Sequence, residues 1–456
     1  CHSCYDAPCQ LKLSSPVGID RGANPAKVYS GSRLKEATPG RLFIDHQTTE
    51  GWRTAGFYPV LNESRQDPAI NIEAGVMARL LELKQVHPLP DQSLLPDSFD
   101  LTLNRAQQCP RAEDMDGFER KYPLWGMPYA LPTLTQEEHA TLMEWLEQGA
   151  PMPTPPPPDP VAQQQIDAWE AFLNGDNDKQ RLVARYLYEH LFLAHLYFSD
   201  LEPGAFYRLV RSETPPGQPI KVIATRRPYD DPRVSRVYYR FSAEQATVVD
   251  KTHMPYALND TRLDDYRRWF MDTDYQIARL PGYAPEITAN PFKVFGAIPV
   301  EVRYRFLLEE AQFTIMNFIK GPVCRGQIAL NVIQDHFWVF FVSPESHVYV
   351  ETDAFYNDKE NLLSLPGEAG SDAPTLRTWF RYSRLQRDYM QAKATAMNVA
   401  FPGGRHLTLD TVWDGDRSNP NAALTVMRHF DSATVVQGLL GPAPLTAWLV
   451  DYGLLE

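Results

Sequence analysis

The chain has 456 residues, of which 43% are apolar and 22% charged, and its formal net charge is −13. This composition is typical of a folded globular protein and excludes a disordered or fibrous chain. The acidic balance argues against nucleic acid and anionic headgroups as partners, so any peripheral membrane contact would use apolar surface. No apolar run approaches the roughly 18 residues that a membrane-spanning helix needs.

The length predicts two or three domains rather than one core. Both ends of the sequence resemble cut ends. The chain begins on Cys1 without a Met or a leader peptide, and it stops at Glu456 directly after a largely apolar stretch. We therefore expect a fragment that is truncated at both ends.

Three cysteines crowd the beginning of the chain, at Cys1, Cys4 and Cys9. This density is typical of haem attachment, metal binding or disulfides in an oxidising compartment. Cys1 and His2 match the end of the motif C-x-x-C-H, in which two cysteines hold haem c and the histidine ligates iron. In the other register, Cys1 and Cys4 would be the two cysteines of the motif, but Tyr5 then stands where the histidine ligand is required. The competing interpretation is that all three cysteines form disulfides or a structural metal site.

The first part of the chain reads as mainly helical with long proline-rich insertions. An amphipathic helix is predicted near Ile72 to Lys84. A second helix is predicted to start at the capping box Thr135 to Glu138 and to stop at Gly149.

A Trp-Gly-Met-Pro-Tyr loop around Met127 precedes this second helix. The arrangement resembles the end of a c-type cytochrome domain, where a methionine supplies the sixth iron ligand. The interval between His2 and Met127 exceeds that of a minimal cytochrome c, so His46, His87 or His139 are alternative distal ligands. The sixth position could also be open to substrate, and a methionine outside a haem site is usually core filler.

The proline-rich stretch from Met152 to Pro160 predicts a semi-rigid polyproline II spacer. It divides the chain into a cytochrome-c-like haem domain at 1–151, a linker at 152–160 and an incomplete α+β domain at 161–456. The predicted fold class is therefore multidomain, with a mainly α domain that carries long insertions, followed by an α+β domain.

Helices and strands mix in the part after the linker, and no internal repeat is visible. Helices are predicted at 163–173, 179–198, 264–270 and 302–319. Strands are predicted at 220–225, 234–241, 328–332, 337–342 and 348–352.

Three histidines in this part are candidate catalytic side chains. His190 and His195 lie on the predicted helix, but five positions apart they do not form the i,i+4 pair of a helical metal site. They are either core histidines or line a haem-side or substrate channel. His336 precedes an apolar strand that is either a buried core strand or the wall of an acyl pocket. The catalytic residues themselves stay unassigned.

The remaining cysteines leave several possibilities open. If Cys1 is a thioether, then Cys4, Cys9, Cys109 and Cys324 can form two disulfides in any of three pairings. A thiolate mechanism at Cys324 would need a nearby base, and the sequence identifies none.

Four longer segments resemble the bacterial fatty acid cis/trans isomerase family, and the resemblance extends along the whole chain. The segments are Cys1 to Leu13, Tyr188 to Leu196, Phe318 to Ile328 and Asn331 to Trp338. The resemblance implies a periplasmic haem c enzyme that converts cis-unsaturated acyl chains to trans under stress. Its substrates would be membrane phospholipid acyl chains or free unsaturated fatty acids.

The resemblance also implies that Cys1 anchors the haem and that His2 is its proximal ligand. Because the upstream cysteine of the motif is missing here, we expect covalent haem in the full-length protein but not in this fragment. The haem iron, rather than a side chain, would carry the isomerisation. One alternative is a periplasmic c-type cytochrome electron carrier fused to a lipid- or ligand-binding domain, with His2 and Met127 closing the iron on both sides. Another is a structural or lipid-binding protein without haem, in which the early cysteines form disulfides.

Overall fold

A computed structural model describes residues 2, 7–26, 44–90, 94–97, 99, 101, 106–153, 157–201, 204–249, 253–320, 335–342, 358–363, 376–400, 402–404, 412, 422–429, 433–445 and 447–450. The chain divides into two compact units. Unit 1 comprises Cys1–Val28, His46–Pro157 and Gln245–Thr247, and unit 2 comprises Tyr29–Asp45, Pro158–Glu244 and Val248–Glu456. The change of unit after Pro157 lies within the proline-rich stretch.

Unit 1 is built from helices. They are α1 (Pro16–Arg21), α2 (Thr49–Thr54), α3 (Pro68–Ala74), α4 (Val76–Val86), α5 (Met115–Lys121) and α6 (Gln136–Glu147). The predicted capping box is confirmed: the Thr135 hydroxyl accepts the Glu138 N–H at 3.2 Å, and the Glu138 carboxylate accepts the Thr135 N–H at 2.9 Å. This reciprocal pair satisfies two backbone donors that the first turn of a helix leaves open.

The predicted helix near Ile72 to Lys84 is two helices, which is a correction. The chain leaves helical geometry at Gly75, which has φ −80° and ψ 112° and separates α3 from α4. A β-carbon at this position would lie 2.6 Å from the Asn71 carbonyl oxygen. Apolar periodicity continues across the break, so the pattern alone predicts one continuous helix.

Small separate clusters form the interior of unit 1. Ala78, Leu81, Leu146 and Ala150 form one; Val76, Leu80 and Met115 form another; Ala23, Tyr58 and Val60 form a third. A disulfide joins Cys9 to Cys109 across a sequence separation of 100 residues. A covalent cross-link therefore adds to the stability that the apolar burial in these small clusters provides.

Unit 2 mixes helices with strands. Its helices are α7 (Pro160–Leu173), α8 (Asp178–Leu191), α9 (Asp260–Tyr266), α10 (Pro285–Thr288), α11 (Pro291–Phe295), α12 (Val300–Glu309), α13 (Ala311–Lys320) and α14 (Leu376–Ala400). Its strands are β1 (His195–Phe198), β2 (Phe206–Ser212), β3 (Tyr238–Glu244), β4 (Pro255–Leu258), β5 (His336–Phe341), β6 (Ala423–Arg428), β7 (Ala433–Gln437) and β8 (Ala447–Val450).

The strands form two four-stranded sheets with the same connectivity. The first sheet has the order β3-β2-β1-β4, and the second has the order β7-β6-β5-β8. In each sheet the first three strands in sequence are antiparallel neighbours, and the fourth pairs in parallel with the first. The two sheets therefore repeat one topology, although the sequence shows no repeat.

Side chains from both sheets belong to one contiguous core. Phe198, Leu209 and Phe241 of the first sheet join Phe337 and Val426 of the second in the same buried cluster. Helices α7, α8, α12 and α13 contribute further aromatic and aliphatic residues. None of the described helices is long and apolar enough to cross a bilayer.

Two helix predictions in unit 2 need correction. The helix predicted at 179–198 ends at Leu191, and His195–Phe198 instead pairs in parallel with Pro255–Leu258. The helix predicted at 302–319 is two helices, because Glu310 adopts φ −120° and ψ 54° between α12 and α13. Pairing with distant residues decides the first case, and local sequence does not report such partners.

The strand predictions have mixed outcomes. The strand predicted at 337–342 is confirmed as β5, and the one predicted at 234–241 begins later, as β3. The stretch 220–225 is not a strand, since Val222 makes an isolated bridge with Ser212. The strands predicted at 328–332 and 348–352 lie outside the described residues.

Candidate functional site

His2 has its ring oriented by a backbone carbonyl. Its Nδ1 lies 2.9 Å from the Leu11 carbonyl oxygen, and its own carbonyl accepts the Leu13 N–H at 2.9 Å. A carbonyl only accepts, so Nδ1 carries the proton and Nε2 carries the lone pair of the neutral ring. Metal-binding histidines are commonly held in this way, with the second nitrogen donating to a carbonyl. In this orientation His2 would offer Nε2 as the ligating atom to a bound metal.

The disulfide holds the segment around His2 to a distant part of unit 1. Cys9 and Cys109 have their Cα atoms 5.7 Å apart, and the Cys9 N–H donates to the Gln107 side chain at 2.8 Å. The Tyr58 hydroxyl donates to the Cys109 carbonyl at 2.7 Å, and burial raises the pKa of Tyr58 to about 12. Of the possible cysteine pairings, the structure contains the one between Cys9 and Cys109. Cys1, Cys4 and Cys324 lie outside the described residues.

Met127 lies at the contact between α4 and the loop that precedes α6. Its N–H donates to the Leu80 carbonyl at 2.8 Å, and its peptide bond to Pro128 is cis. Its partly buried side chain packs against the clusters of Ala78 and Leu80. The hydrogen bonds described for His2 are with Leu11 and Leu13. The cluster beside Cys9 and the cluster beside Met127 both contact the partly buried Leu61.

The three alternative distal histidines have different surroundings. His46 packs edge-on against Trp52 with ring centroids 5.1 Å apart. His87 is exposed and lines an open groove of about 490 Å³ together with Leu83 and Arg120. His139 has a buried Nε2 without a hydrogen-bond partner in the part of the chain that the structure describes. Because its Nε2 is buried and has no partner among the described residues, His139 is the best suited of the three to coordinate iron.

Lys84 is a site residue that sequence reasoning missed. It lies on α4, its side chain is 1% exposed, and Nζ has no hydrogen-bond partner among the described residues. Burial lowers the pKa of this amine. A lysine within an amphipathic pattern is ordinarily assigned to the solvated face, so the sequence carries no signal for its burial.

His190 is packed among aromatic rings in unit 2. Its ring centroid lies 4.1 Å from that of Tyr186, 5.9 Å from Phe306 and 6.1 Å from Phe295. Nδ1 donates to the Tyr186 carbonyl at 2.7 Å. These contacts agree with the simpler of the two interpretations, a histidine that is satisfied within the core.

His195 is not on a helix, which corrects the prediction. It is the first residue of β1, 3% exposed, and its Nδ1 accepts the Met254 N–H at 3.2 Å. Its Nε2 lies 3.9 Å from a Glu244 carboxylate oxygen, and its ring centroid lies 4.6 Å from that of His253. The fold thus gathers three titratable side chains from separate parts of the sequence, and Glu244 and His253 were not predicted as neighbours.

His336 fastens the end of the second sheet. Its Nε2 donates to the Pro442 carbonyl at 2.9 Å, and Nδ1 lies 3.1 Å from the Asp335 carboxylate. The Pro442 hydrogen bond is the main cause that raises the pKa of His336, and the contact with His336 lowers that of Asp335. Nε2 thus holds the loop at Pro442 and Nδ1 contacts the adjacent Asp335, so His336 has a structural role at this end of the sheet. Its candidate catalytic role stays a prediction. The strand that follows is a core strand, with Phe337, Val339 and Phe341 buried.

Within the described residues, no group of three or more His, Cys, Asp or Glu side chains is arranged to hold a metal ion. In unit 1, Lys84 Nζ and His139 Nε2 are among the buried polar atoms without a hydrogen-bond partner in the described part of the chain, and the ring of His2 is oriented by a carbonyl. Imidazole and thioether groups ligate haem iron in other proteins, and a cation can pair with a carboxylate, so these residues and Met127 are the candidates for a haem site.

The chain thus combines a helical unit with a larger unit of mixed helices and strands. The family model described as fatty acid cis/trans isomerase matches residues 37–456, nearly the whole chain. The chain belongs to the fatty acid cis/trans isomerase family and is an isomerase that acts on fatty acids. The matched range includes Met127, His139 and Lys84 and begins after His2. No curated protein matches the chain, and no solved structure does.

Proposed function

We propose that this isomerase uses haem c in the periplasm to convert cis double bonds to trans in the acyl chains of membrane phospholipids and in free unsaturated fatty acids. Family membership supports the fatty acid substrate. An isolated alkene has no acidic proton and no electrophilic carbonyl, so ordinary side chains activate it poorly and a cofactor must carry the hard step. When bound, ferric haem supplies the withdrawal of electron density from the π bond that permits rotation.

The observation that carries the haem proposal is the hydrogen bond from His2 Nδ1 to the Leu11 carbonyl at 2.9 Å. It fixes the tautomer in which Nε2 has the lone pair, and it restrains rotation of the ring. His2 would therefore bind the iron through Nε2 without first losing a proton. Cys1 precedes it in sequence and would hold the porphyrin edge through a thioether.

Met127 is the proposed second ligand of the iron. Its backbone is fixed to α4 by the Leu80 hydrogen bond, and its thioether lies among apolar side chains. A thioether is a weaker ligand than imidazole for ferric iron, so Met127 would hold the iron less tightly than His2 would. His139 is the alternative, because its buried Nε2 lacks a partner among the described residues.

Peripheral membrane contact would come from apolar side chains rather than from charge. In unit 1, Leu94 is 80% exposed, Val86 71% and Leu101 57%. Exposed leucines and valines of this kind can enter the acyl boundary of a bilayer, whereas a net charge of −13 disfavours anionic headgroups. The enzyme would thus reach acyl chains by partial insertion of these side chains.

The experiment is expression of the full-length gene in a periplasm that matures c-type cytochromes, followed by gas chromatography of the membrane acyl chains. Trans chains are expected to accumulate with the native enzyme and to return to the background level with His2→Ala. The control is His429→Gln, which removes an exposed histidine from the other unit and is expected to retain activity. A trans content that does not rise, or that survives His2→Ala, contradicts the proposal.

A further inference from the structure

Lys84 is a buried cation that has no anionic partner among the described residues. Its side chain is 1% exposed, and Nζ has no hydrogen-bond partner among the residues that the structure describes. On the same helix, Arg79 is paired with Glu119 and Asp116, and Glu82 is exposed. Burying an ammonium without a partner costs several kcal/mol, so such a residue persists where something outside the chain pairs with it.

The backbone of Lys84 lies against the Met127 loop. Gly126 packs directly on the helix there, since a β-carbon on Gly126 would lie 2.4 Å from the Lys84 backbone nitrogen. One turn earlier, the Leu80 carbonyl accepts the Met127 N–H at 2.8 Å. Helical side chains lean toward the preceding turn, which carries the Lys84 amine toward the segment that holds Met127.

The same loop presents a row of aromatic rings. Tyr122 and Trp125 stack with centroids 4.4 Å apart, and Trp125 meets Tyr129 edge-on at 5.4 Å. Phe99 continues the row at 5.1 Å from Tyr129. Rings of this kind form the wall of sites for flat or extended apolar ligands, and a single buried cation fixes the polar end of such a ligand.

We propose that Lys84 Nζ binds the carboxylate of a ligand that lies against the Met127 loop. This inference rests on the proposed function, which offers two sources of that carboxylate: a haem propionate and the headgroup of a free fatty acid. In either case the ammonium donates charge-assisted hydrogen bonds in a dry environment, where such bonds are about twice as strong as neutral ones. Lys84 thus acts as a positioning residue for haem or as a substrate-binding residue.

The test compares Lys84→Met with Lys84→Arg in the full-length protein. Methionine removes the charge at similar volume, whereas arginine keeps the charge. The matched control is Lys121→Met, which removes an exposed lysine from the same unit. Lys84→Met is expected to fold, because the lost charge had no partner within the described residues; Lys84→Gln gives the same comparison should the methionine variant aggregate.

Two measurements distinguish the sources of the carboxylate. The reduction potential of the purified holoprotein is expected to fall in Lys84→Met if the partner is a propionate, because a nearby positive charge favours the reduced iron. Binding of palmitate, followed by calorimetry, is expected to weaken roughly tenfold or more if the partner is the fatty acid headgroup. Methyl palmitate, which lacks the charge, is expected to bind both proteins equally.

A change in either measurement that is absent from Lys84→Arg and Lys121→Met supports the proposal and names the source. If the potential and the palmitate affinity of Lys84→Met both equal those of the native protein, the proposal is overturned. Absence of covalent haem from the native protein contradicts the proposed function instead. In that case the palmitate measurement alone decides the role of Lys84.

Discussion

The two units of this isomerase are stabilised in different ways. Unit 2 has one contiguous core, to which both sheets and most of its helices contribute. Among the described residues, unit 1 has smaller clusters, linked through the partly buried Leu61 and Met127, and a disulfide across 100 residues. A contiguous core distributes stability over many contacts, whereas unit 1 depends on a few particular ones. We therefore expect single changes in unit 1 to be felt locally, and unit 2 to respond mainly to changes inside its core.

Buried charge shows the same contrast. In unit 2 the Glu170 carboxylate accepts from Arg240 Nε at 2.7 Å and from the Phe241 N–H at 2.9 Å. In unit 1 the buried Lys84 has no such partner among the described residues. The Glu170 charge is neutralised within the core, whereas the proposal for Lys84 is that a ligand supplies its counter-charge. This difference is why the candidate site is assigned to unit 1.

The largest expected effect comes from breaking the buried ion pair of unit 2. Glu170→Ala removes the carboxylate that pairs with the buried Arg240 charge and leaves Arg240 Nε and the Phe241 N–H without their acceptor. The expected loss is about 3–5 kcal/mol of unfolding free energy. Scanning calorimetry of the whole chain measures it as a shift of the unit 2 transition. Glu213→Ala is the control, since its partner Lys221 is 67% exposed and such pairs contribute less than about 1 kcal/mol. Equal shifts for the two variants would show that a buried ion pair contributes no more to the unfolding free energy than an exposed one.

Removing the disulfide is the next largest perturbation, and it tests unit 1. The double variant Cys9→Ser and Cys109→Ser is expected to lose about 2–5 kcal/mol, because the unfolded chain regains the entropy of a long loop. The unit 1 transition should move to lower temperature, and the unit 2 transition should stay in place. If both transitions move together, the two units are not independent in stability.

A pair of glycines in unit 1 separates close packing from helix propensity. Gly126→Ala puts a methyl group 2.4 Å from the Lys84 nitrogen and is expected to cost about 1–3 kcal/mol. Gly117→Ala lies inside α5 with nothing within 4 Å of the new methyl group. It is expected to stabilise by about 0.5–1 kcal/mol. Urea unfolding measures the free energy of unfolding of both variants. Destabilisation by Gly117→Ala would contradict the placement of Gly117 at an unobstructed position within α5.

The smallest expected effect is the pH dependence of the His336 contact in unit 2. Because its pKa is raised in the folded protein, its contribution is fully present below the ordinary imidazole value of about 6.5 and is lost as the pH rises through the folded pKa. The difference in unfolding midpoint between native protein and His336→Gln should therefore shrink from pH 6 to pH 8. A difference that grows with pH would reverse the assigned sign.

Much of the local structure was predictable from sequence. The capping box at Thr135, the core strand that becomes β5 and the helix ending at Leu173 all follow from patterns a few residues long. Residues His2 and Met127 were also selected from sequence, because haem chemistry requires particular side chains in recognisable order. The cytochrome-like character of the first part of the chain stays a prediction.

The sequence by itself determined the local elements, the family resemblance and the residue types that haem chemistry needs. Only the tertiary structure decided which cysteine pairs with Cys9, that His195 opens a strand, and that both sheets share one connectivity. It also decided that Lys84 is buried. Each of these depends on partners far away in sequence, and their contact free energies outweigh the small local preferences that a short pattern reports.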